Sequence, residues 1–506
     1  MAPVASKKNV GMVRLTKDQI KQKVAFVEQY IEANNAADGS TFDPNSNVTN
    51  KNVATLGAEL NKDINIQTKR ALVYKYIEKE FGTEIADSYI RQLENHEIYT
   101  HDETSIMPYC MAVSLYPFLL DGLKAFGGES KAPKHLSSFN GGFINLIFAL
   151  SSQVAGAVAT VEYLMYFDYF AKKDYGSDYL TIHTETIKQE LQQVVYALNQ
   201  PASARGFQSP FWNVSIFDEY YFNALFGTFV FPDGTKSDWE SLNRLQQYFL
   251  KWFNKERTHA LLTFPVVTVA MLNDGKEMVD KRYKDIVVTE LSEGNSFFIY
   301  TSTTVDSLSS CCRLRSSITD QINEFSYSLG AGGVMSGSVN VITLNMNRFI
   351  QNILNTEEYD EAKHFTIIEE ALTQQVALMH KYQVGHRKLF DYFKANKMLP
   401  ANNAGYIDFD KQFLTIGLNG LLEGAEYLGY TPNNNSAYKS FVGNIHEVIG
   451  KENKRGNKLY GYKFNTEIVP AESLGVKFAT WDKKDEYIVP RDCYNSYLYR
   501  VEDEEL

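Results

Sequence analysis

The strongest limit on the fold of this 506-residue chain is its repeated switch between two hydrophobic periods. Ile20, Val24, Val27 and Ile31 recur at helical spacing, behind Thr16 and Gln19 at the spacing of a capping box. Leu72, Tyr76 and Phe81 predict another helix, which Gly82 ends. Ile187, Leu191, Val194 and Leu198 mark a third. Between such segments lie β-rich runs: Phe211 to Phe217, which alternates like a half-buried strand, Leu261 to Met271, Phe297 to Thr301 and Val339 to Leu344. Strands separated by long helices favour an α/β architecture. The polar stretch Asn34 to Asn52 reads as a loop. Residues 1–45 are therefore expected to form a helix and a loop, and residues 46–506 one main body without repeats or a clean linker. The acidic end, Glu502 to Glu505, reads as solvated.

Charge and cysteine usage narrow the function. A net charge of −11 argues against broad nucleic-acid binding, which needs a basic footprint. It leaves room for a nucleotide, since one phosphate pocket needs only local positive charge or a helix N-terminus. The four cysteines, Cys110, Cys311, Cys312 and Cys493, make neither a disulfide framework nor two C-x-x-C pairs. A reducing cytoplasm is expected, since Met1 to Leu15 lacks the apolar core of a signal peptide. The most apolar stretch, Phe143 to Thr160, contains Asn145, Ser151, Ser152 and Gln153, so it predicts a buried helix rather than a membrane span.

The adjacent cysteines carry the chemical interest. A strand-like run precedes Ser309-Ser310-Cys311-Cys312-Arg313-Leu314-Arg315; Gly330, Gly332, Gly333 and Gly337 follow, then Ser338-Val339-Asn340-Val341-Ile342-Thr343-Leu344-Asn345. A loop held at both ends by strands presents a thiol inside a core. Two inert buried cysteines fit the same pattern, because Cys packs as a small hydrophobe. The glycine cluster lacks the Lys-Ser/Thr ending of a phosphate-binding loop and reads as a turn or mobile loop.

The Cys311 to Arg315 stretch, with the strand Gly337 to Asn345, resembles the active-site loop of class III (anaerobic, glycyl-radical) ribonucleotide reductases. More of the chain is similar to that family in the same order. Tyr99-Thr100-His101-Asp102 resembles its His-Ile-His-Asp segment, and Pro108-Tyr109-Cys110 its Tyr-Cys segment. Ala132 to Ser138 resembles Pro-Ala-Lys-His-Leu-Ser-Ser, and Ala155-Gly156-Ala157 an Ala-Gly-Ala. Asn199 to Pro201 with Gln208 to Asn213, then Phe264-Pro265, then Phe464 to Glu467 with Pro470-Ala471-Glu472, continue the series. It spans roughly residues 45–500.

The resemblance implies a ten-stranded α/β barrel with a finger loop carrying the active-site cysteine. It puts a thiyl radical on Cys312, which would take the ribose 3′-hydrogen, with Cys311 beside it and Cys110 as the second hydrogen source. A barrel interior would exclude water and oxygen. Ser338 and Asn345 would hydrogen-bond substrate, and Glu467 and Glu472 would be acid/base carboxylates. His101 and Asp102 would position substrate or move a proton. Lys134 and His135, with Ser137 and Ser138, would meet its phosphates. A buried His101–Asp102 pair, a surface Lys134 and carboxylates in capped turns or salt bridges explain the same residues structurally. Cys493 matches no catalytic position.

The implied partners are a ribonucleotide, by family habit a triphosphate, a nucleoside triphosphate effector, a radical-SAM activating enzyme and a second copy of the chain. No metal, membrane or nucleic acid is expected. Family members continue past the equivalent of Leu506 into a four-cysteine zinc site and an Arg-x-x-Gly-Tyr segment. Gly461-Tyr462 precedes the Pro-Ala-Glu match and does not fit that place. The expectation is therefore a split enzyme, with the glycyl radical supplied by a separate polypeptide and no N-terminal ATP-cone. The alternatives are another glycyl radical enzyme, such as an acyl-lyase, and an inactive nucleotide-binding paralogue.

Overall fold

Capping chemistry sets the first helices of the computed structural model, which describes residues 14–32, 52–124, 126–201, 208–294, 297–305, 307–310, 314–317, 335–355, 364–468 and 472–495. Helix α1 (Lys17–Glu32) starts at the predicted box: the Gln19 N–H donates to Thr16 Oγ at 3.2 Å, and Gln19 Oε1 accepts from the Thr16 N–H at 2.9 Å. Helix α2 (Val53–Phe81) starts at Asn52, whose side chain accepts from Ala54 and Thr55. It stops at Gly82, whose φ of +88° suits glycine. α3 (Thr83–Glu94) then packs back on α2. The polar stretch 34–52 lies outside the described residues except for Asn52.

Nine strands form one curled sheet. They are β1 (Ile98–Thr100), β2 (Cys110–Ala112), β3 (Val158–Thr160), β4 (Trp212–Phe217), β5 (Val266–Leu272), β6 (Phe297–Ser302), β9 (Ser336–Asn345), β10 (Phe413–Asn419) and β11 (Lys463–Ile468). The order is β11-β10-β9-β2-β3-β4-β5-β6, with β1 also on β9. Strands β2 to β6 are parallel to one another, as are β9 to β11; the two groups meet antiparallel where β2 pairs with β9. The remaining strands, β7 (Ser307–Ser310) and β8 (Leu314–Ser317), form a separate antiparallel hairpin. Ten strands were expected in a barrel; the described residues place nine in the sheet and two in this hairpin. β7 lies against β4, β5 and β6 while β8 lies against β9, so the hairpin bridges the two halves.

Helices cover the outer face. One core joins Trp212 of β4 to Phe143 and Tyr163, on the helices Leu136–Ser151 and Tyr163–Tyr175. A second joins Ile342, Leu344, Ile416 and Leu418 to Leu372, Val376 and Met379 of the 32-residue helix His364–Ala395. The alternate residues face inward, and there the sheet is polar or small: Cys110, Ala157, Asn213, Thr268, Ser338, Thr415 and Asn465.

Three expectations need correction. β4 is buried at all six positions, because its inward residues meet an enclosed interior rather than solvent. The run from Leu261 becomes strand only at Val266, after Pro265, which has no N–H for the ladder. The apolar stretch 143–160 is not one helix: the helix ends at Ser151 and β3 begins at Val158. Among the described residues no helix is long and apolar enough to cross a membrane.

Candidate active site

Strand β9 organises the site because β1 and β2 line the same edge of it in succession. β1 pairs with residues 342–344, the His101 N–H donates to the Val341 carbonyl, the Tyr109 N–H to that of Val339, and β2 pairs with residues 336–338. Gly337 makes the close approach possible: a Cβ there would lie 2.5 Å from the Cys110 carbonyl oxygen, and its φ is +137°.

Cys110 therefore sits directly across from Ser338. Its thiol is buried and accepts the Ala157 N–H at 3.2 Å. Gly156 leaves it room, since a Cβ there would fall 2.5 Å from the sulfur. The Gln412 amide donates to its carbonyl at 2.9 Å.

From Ser338 a hydrogen-bonded chain crosses three strands. Ser338 Oγ lies 2.7 Å from Thr415 Oγ1, Thr415 donates to Asn465 Oδ1 at 2.8 Å, and Asn465 donates to Glu467 Oε1 at 3.2 Å. The direction follows from hydroxyl stoichiometry. Thr415 spends its one proton on an amide oxygen that only accepts. The Ser338 proton then goes to Thr415 or to the Asn340 carbonyl, 3.0 Å away. Ser338 thus offers a ligand lone pairs and no proton, which suits it to accept from a sugar hydroxyl.

His101 shares a 2.7 Å hydrogen bond with Thr343 and meets Tyr99 and Tyr109 edge to face. Burial, with smaller effects from Lys477 and Lys69, pushes it down to about 3, so it is neutral near pH 7. Asp102 has a positive φ of 49°, and its carbonyl accepts from the buried Lys69 ammonium at 3.2 Å. Burial pulls Lys69 down to about 8 against the opposing pull of Glu103 and Asp102. Arg70 and Glu103 form a two-pronged ion pair.

Asn345, Lys134, His135, Ser137 and Ser138 are not brought to this point. Asn345 is seven residues along β9 from Ser338, about 23 Å at ~3.3 Å per residue. Both its polar atoms are engaged: Oδ1 caps Arg348 N at 3.2 Å and Nδ2 donates to Asp482 at 2.8 Å. Lys134, His135, Ser137 and Ser138 are exposed at the start of the helix Leu136–Ser151. Ser138 Oγ accepts from the Lys134 and His135 N–H groups, and Asp174 accepts from Leu136 N at 2.7 Å and lies 2.9 Å from His135 Nδ1. That helix start already holds a carboxylate. Cys311 and Cys312, which connect β7 to β8, lie outside the described residues, as does the Glu472 side chain. Cys493 is exposed. Among the described residues no three His, Cys, Asp or Glu side chains are grouped to hold a metal ion.

Reading the sequence left four site residues unassigned. Asn465 falls inside the Phe464 to Glu467 resemblance without a role of its own, and Thr415 and Gln412 lie outside every matched segment. Lys69 was legible as a lysine in the buried stripe of α2, in step with Val73 and Ile77.

Two parallel strand groups meeting antiparallel, with a buried thiol at the junction and a hairpin set against both halves, match the α/β half-barrel fold of anaerobic ribonucleotide reductases. The chain belongs to the anaerobic ribonucleoside-triphosphate reductase family, whose model matches residues 59–505. It is similar to the anaerobic ribonucleotide reductase of Thermotoga maritima with citrate in the active site, at 26% identity over 96% of this chain and 85% of that one, with a TM-score of 0.80. The same enzyme with dATP in the specificity site gives 25% identity, 96% and 78% coverage and a TM-score of 0.80. Its complex with dATP and CTP gives 26%, 95%, 76% and 0.79. No curated protein matches the chain. Family and fold together make it an oxidoreductase of anaerobic ribonucleotide reduction.

Proposed function

We propose that the chain reduces ribonucleoside triphosphates to 2′-deoxyribonucleotides by thiyl chemistry, with Cys312 as the hydrogen-abstracting residue and Cys110 as the second hydrogen source. The observation that carries this reading is the placement of the Cys110 thiol opposite Ser338, on a buried inner face of uncharged hydrogen-bonding groups. A glycyl radical, when present, supplies the hydrogen-atom acceptor that makes a cysteine reactive. Ser338, held as an acceptor by Thr415, orients a ribose hydroxyl. Cys110, fixed by the Ala157 N–H, stands ready to give a hydrogen atom to C2′ after the 2′-hydroxyl leaves as water, and an external reductant, formate or a dithiol protein, supplies the second reducing equivalent. Glu467, which accepts from Asn465, is the candidate acid/base carboxylate for the proton that the leaving 2′-hydroxyl must take up; Glu472 remains a second candidate. His101 acts as a neutral hydrogen-bonding group beside Asp102. Asn345 is a positioning residue. Lys134, His135 and Ser138 serve the helix start, where Asp174 is held by the Leu136 N–H and His135 Nδ1, and Ser137 lies exposed beside them. A nucleoside triphosphate effector is proposed because a similar structure binds dATP in its specificity site.

The test is an anaerobic nucleotide-reduction assay with an activating enzyme and a glycyl-radical source, beside nucleotide binding by equilibrium dialysis. Cys110→Ser should bind nucleotide like the parent and lose turnover by at least ~10³-fold. Turnover within tenfold of the parent would remove Cys110 from the mechanism, and absent nucleotide binding in the parent would end the reading. Where the radical glycine resides is decided by the same assay: turnover that requires a separate glycyl-radical polypeptide makes this a two-chain enzyme.

A further inference from the structure

Helix α2 holds the turn on which the site depends. The connection from β1 to β2 leaves β9 at His101, whose N–H donates to the Val341 carbonyl, and returns at Tyr109, whose N–H donates to that of Val339. Residues 102–108 therefore bulge between two neighbouring anchor points on β9, and the thiol follows directly at Cys110. Ordering such a bulge costs backbone entropy that two ladder bonds do not offset. Three side chains of α2 support it. Asn65 Nδ2 donates to the Thr104 carbonyl at 2.9 Å and Lys69 Nζ to the Asp102 carbonyl at 3.2 Å. The Arg70 guanidinium grips the Glu103 carboxylate through Nε at 3.0 Å and Nη2 at 2.6 Å. Spacing explains the arrangement. Asn65, Lys69, Val73 and Ile77 recur every four residues, so the line that enters the core at Val73 and Ile77 meets the turn one and two turns earlier.

Lys69 is the unusual member of this set. It is 1% exposed, and burying a charge is unfavourable unless neighbours compensate. An apolar residue would pack there without that penalty, as Val73 and Ile77 do. Burial pulls Lys69 down to about 8, while the Glu103 and Asp102 carboxylates, facing it from the turn, pull the other way. His386, on the helix His364–Ala395, is held neutral by burial and then by the Lys69 charge; for His101 the order is burial, Lys477 and Lys69. Asp102 has a left-handed φ of 49°, which disfavours any residue with a side chain, and the Lys69 bond to its carbonyl helps to hold it there. We propose that Lys69, supported by Asn65 and Arg70, is a positioning residue for nucleotide reduction: its ammonium fixes the Asp102 turn, and through that turn the His101 ring and the Cys110 thiol. The edge-to-face contact of His101 with Tyr109, 5.8 Å between ring centres, carries the position on to the residue before Cys110. This role rests on the thiyl reading above, because it acts through residues which that reading uses.

The test is nucleotide reduction by the full chain, with an activating enzyme and a glycyl-radical source, in the parent, Lys69→Met and Asn65→Ala. Met keeps an unbranched side chain in the buried slot and removes the charge. Near pH 7 Lys69→Met should keep its nucleotide KM within about threefold and lose about tenfold in kcat, because alignment is lost rather than binding. The deciding readout is the ratio of parent to Lys69→Met kcat from about pH 7 to about pH 9.5. Titration of any other group, a cysteine included, occurs in both proteins and cancels. The ratio should fall from about tenfold to within about threefold as the parent's Lys69 gives up its proton through about 8. A merely structural lysine would leave it constant. Asn65→Ala removes one support and no charge, so it should lose about threefold in kcat at a ratio that does not change with pH. Amide hydrogen exchange reads the turn without turnover: Lys69→Met should speed exchange within residues 101–110 and leave β4 and β5 as in the parent. A flat ratio, an unchanged kcat near pH 7 or unchanged exchange in the turn would each overturn the proposal. Should Lys69→Met fail to fold, parental kcat and parental exchange in Asn65→Ala would overturn it. A parent that reduces no nucleotide would sink the thiyl reading and this role with it, whereas an active parent with a flat ratio sinks this role alone.

Discussion

At the scale of single residues, the groups nearest the Cys110 thiol are neutral and their protons are already committed. Ser338 is an acceptor because Thr415 and Asn340 absorb its hydrogen. On the proposed thiyl mechanism this neutrality would help, since a fixed charge would bind water and invite side reactions. His101 shows the same principle and makes it measurable. Its folded-state value of about 3 lies below the unfolded value of ~6.5, chiefly because burial disfavours the cation. The unfolded chain therefore binds more protons between those values, and stability falls as pH falls through that window. The contribution is fully present above ~6.5 and lost progressively toward 3. Between pH 6.5 and pH 5 the expected loss is about 2 kcal/mol from this one residue. Urea unfolding at both pH values, in the parent and in His101→Gln, isolates it. The variant should be less stable at pH 7 but lose about 2 kcal/mol less than the parent on acidification. Equal acid sensitivity in the two proteins would show that His101 is not held neutral by the fold.

At the scale of elements, two glycines decide where β2 lies. Gly337 lets β9 approach the Cys110 backbone, and Gly156 lets the thiol lie against the turn before β3. Gly156→Ala places a methyl 2.5 Å from the Cys110 sulfur and 3.0 Å from the Tyr109 carbonyl oxygen, both in a packed interior. Such overpacking costs about 1–3 kcal/mol and displaces the thiol. Turnover should fall much further than stability, because a misplacement of ~1 Å at a reacting atom costs about 100-fold. Gly141→Ala is the control, as its added methyl meets nothing within 4 Å. If Gly156→Ala keeps parental turnover while stability drops, the thiol position is not critical. These glycines also show what the sequence made legible. Helices with a clear 3.6-residue period and strands with β-rich composition were readable, because both signals are local. The antiparallel seam between β2 and β9 was not, since its partners are distant in sequence and Gly337 looks like any other glycine of its cluster. Ser338 was legible through the resemblance, yet its role as an acceptor depends on Thr415, which only the fold brings to it. Asn345 carries a matching ambiguity: a polar residue ending a strand looks the same in sequence whether it faces substrate or, as its side chain does here, caps the next helix.

At the scale of the whole molecule, the segment 472–495 closes the structure by returning to the far end of β9. The buried Asp482 carboxylate accepts from Asn345 Nδ2 at 2.8 Å, Arg348 Nε at 2.7 Å, Asn347 Nδ2 at 3.2 Å and Tyr494 OH at 2.6 Å. Arg348 is 3% exposed and also reaches Asp485 at 2.7 Å. One carboxylate thus ties β9, the helix after it, the helix Glu472–Lys484 and Tyr494 into a single unit. Asp482→Ala would leave the Arg348 guanidinium with the more exposed Asp485 as its carboxylate partner, and would take the acceptor from Asn345 Nδ2 and the Tyr494 hydroxyl, while Asn347 Nδ2 keeps the Ile488 carbonyl. Breaking a buried charge pair on one side costs about 3–5 kcal/mol. Because the donors lie on several elements, the loss should appear as earlier amide exchange across residues 472–495 and the Asn345–Arg348 turn together. The thiol end of β9 is about 23 Å away along the strand. Nucleotide turnover per folded molecule should therefore stay within about threefold of the parent at a temperature where the variant is folded. Hydrogen exchange and turnover measured on the same preparation separate the two claims. Uniformly accelerated exchange with no local pattern would mean that Asp482 supports global stability rather than this closure. A large loss of turnover in fully folded protein would mean that the two ends of β9 are coupled, and that the closing segment positions Cys110 and Ser338 as well as sealing the fold.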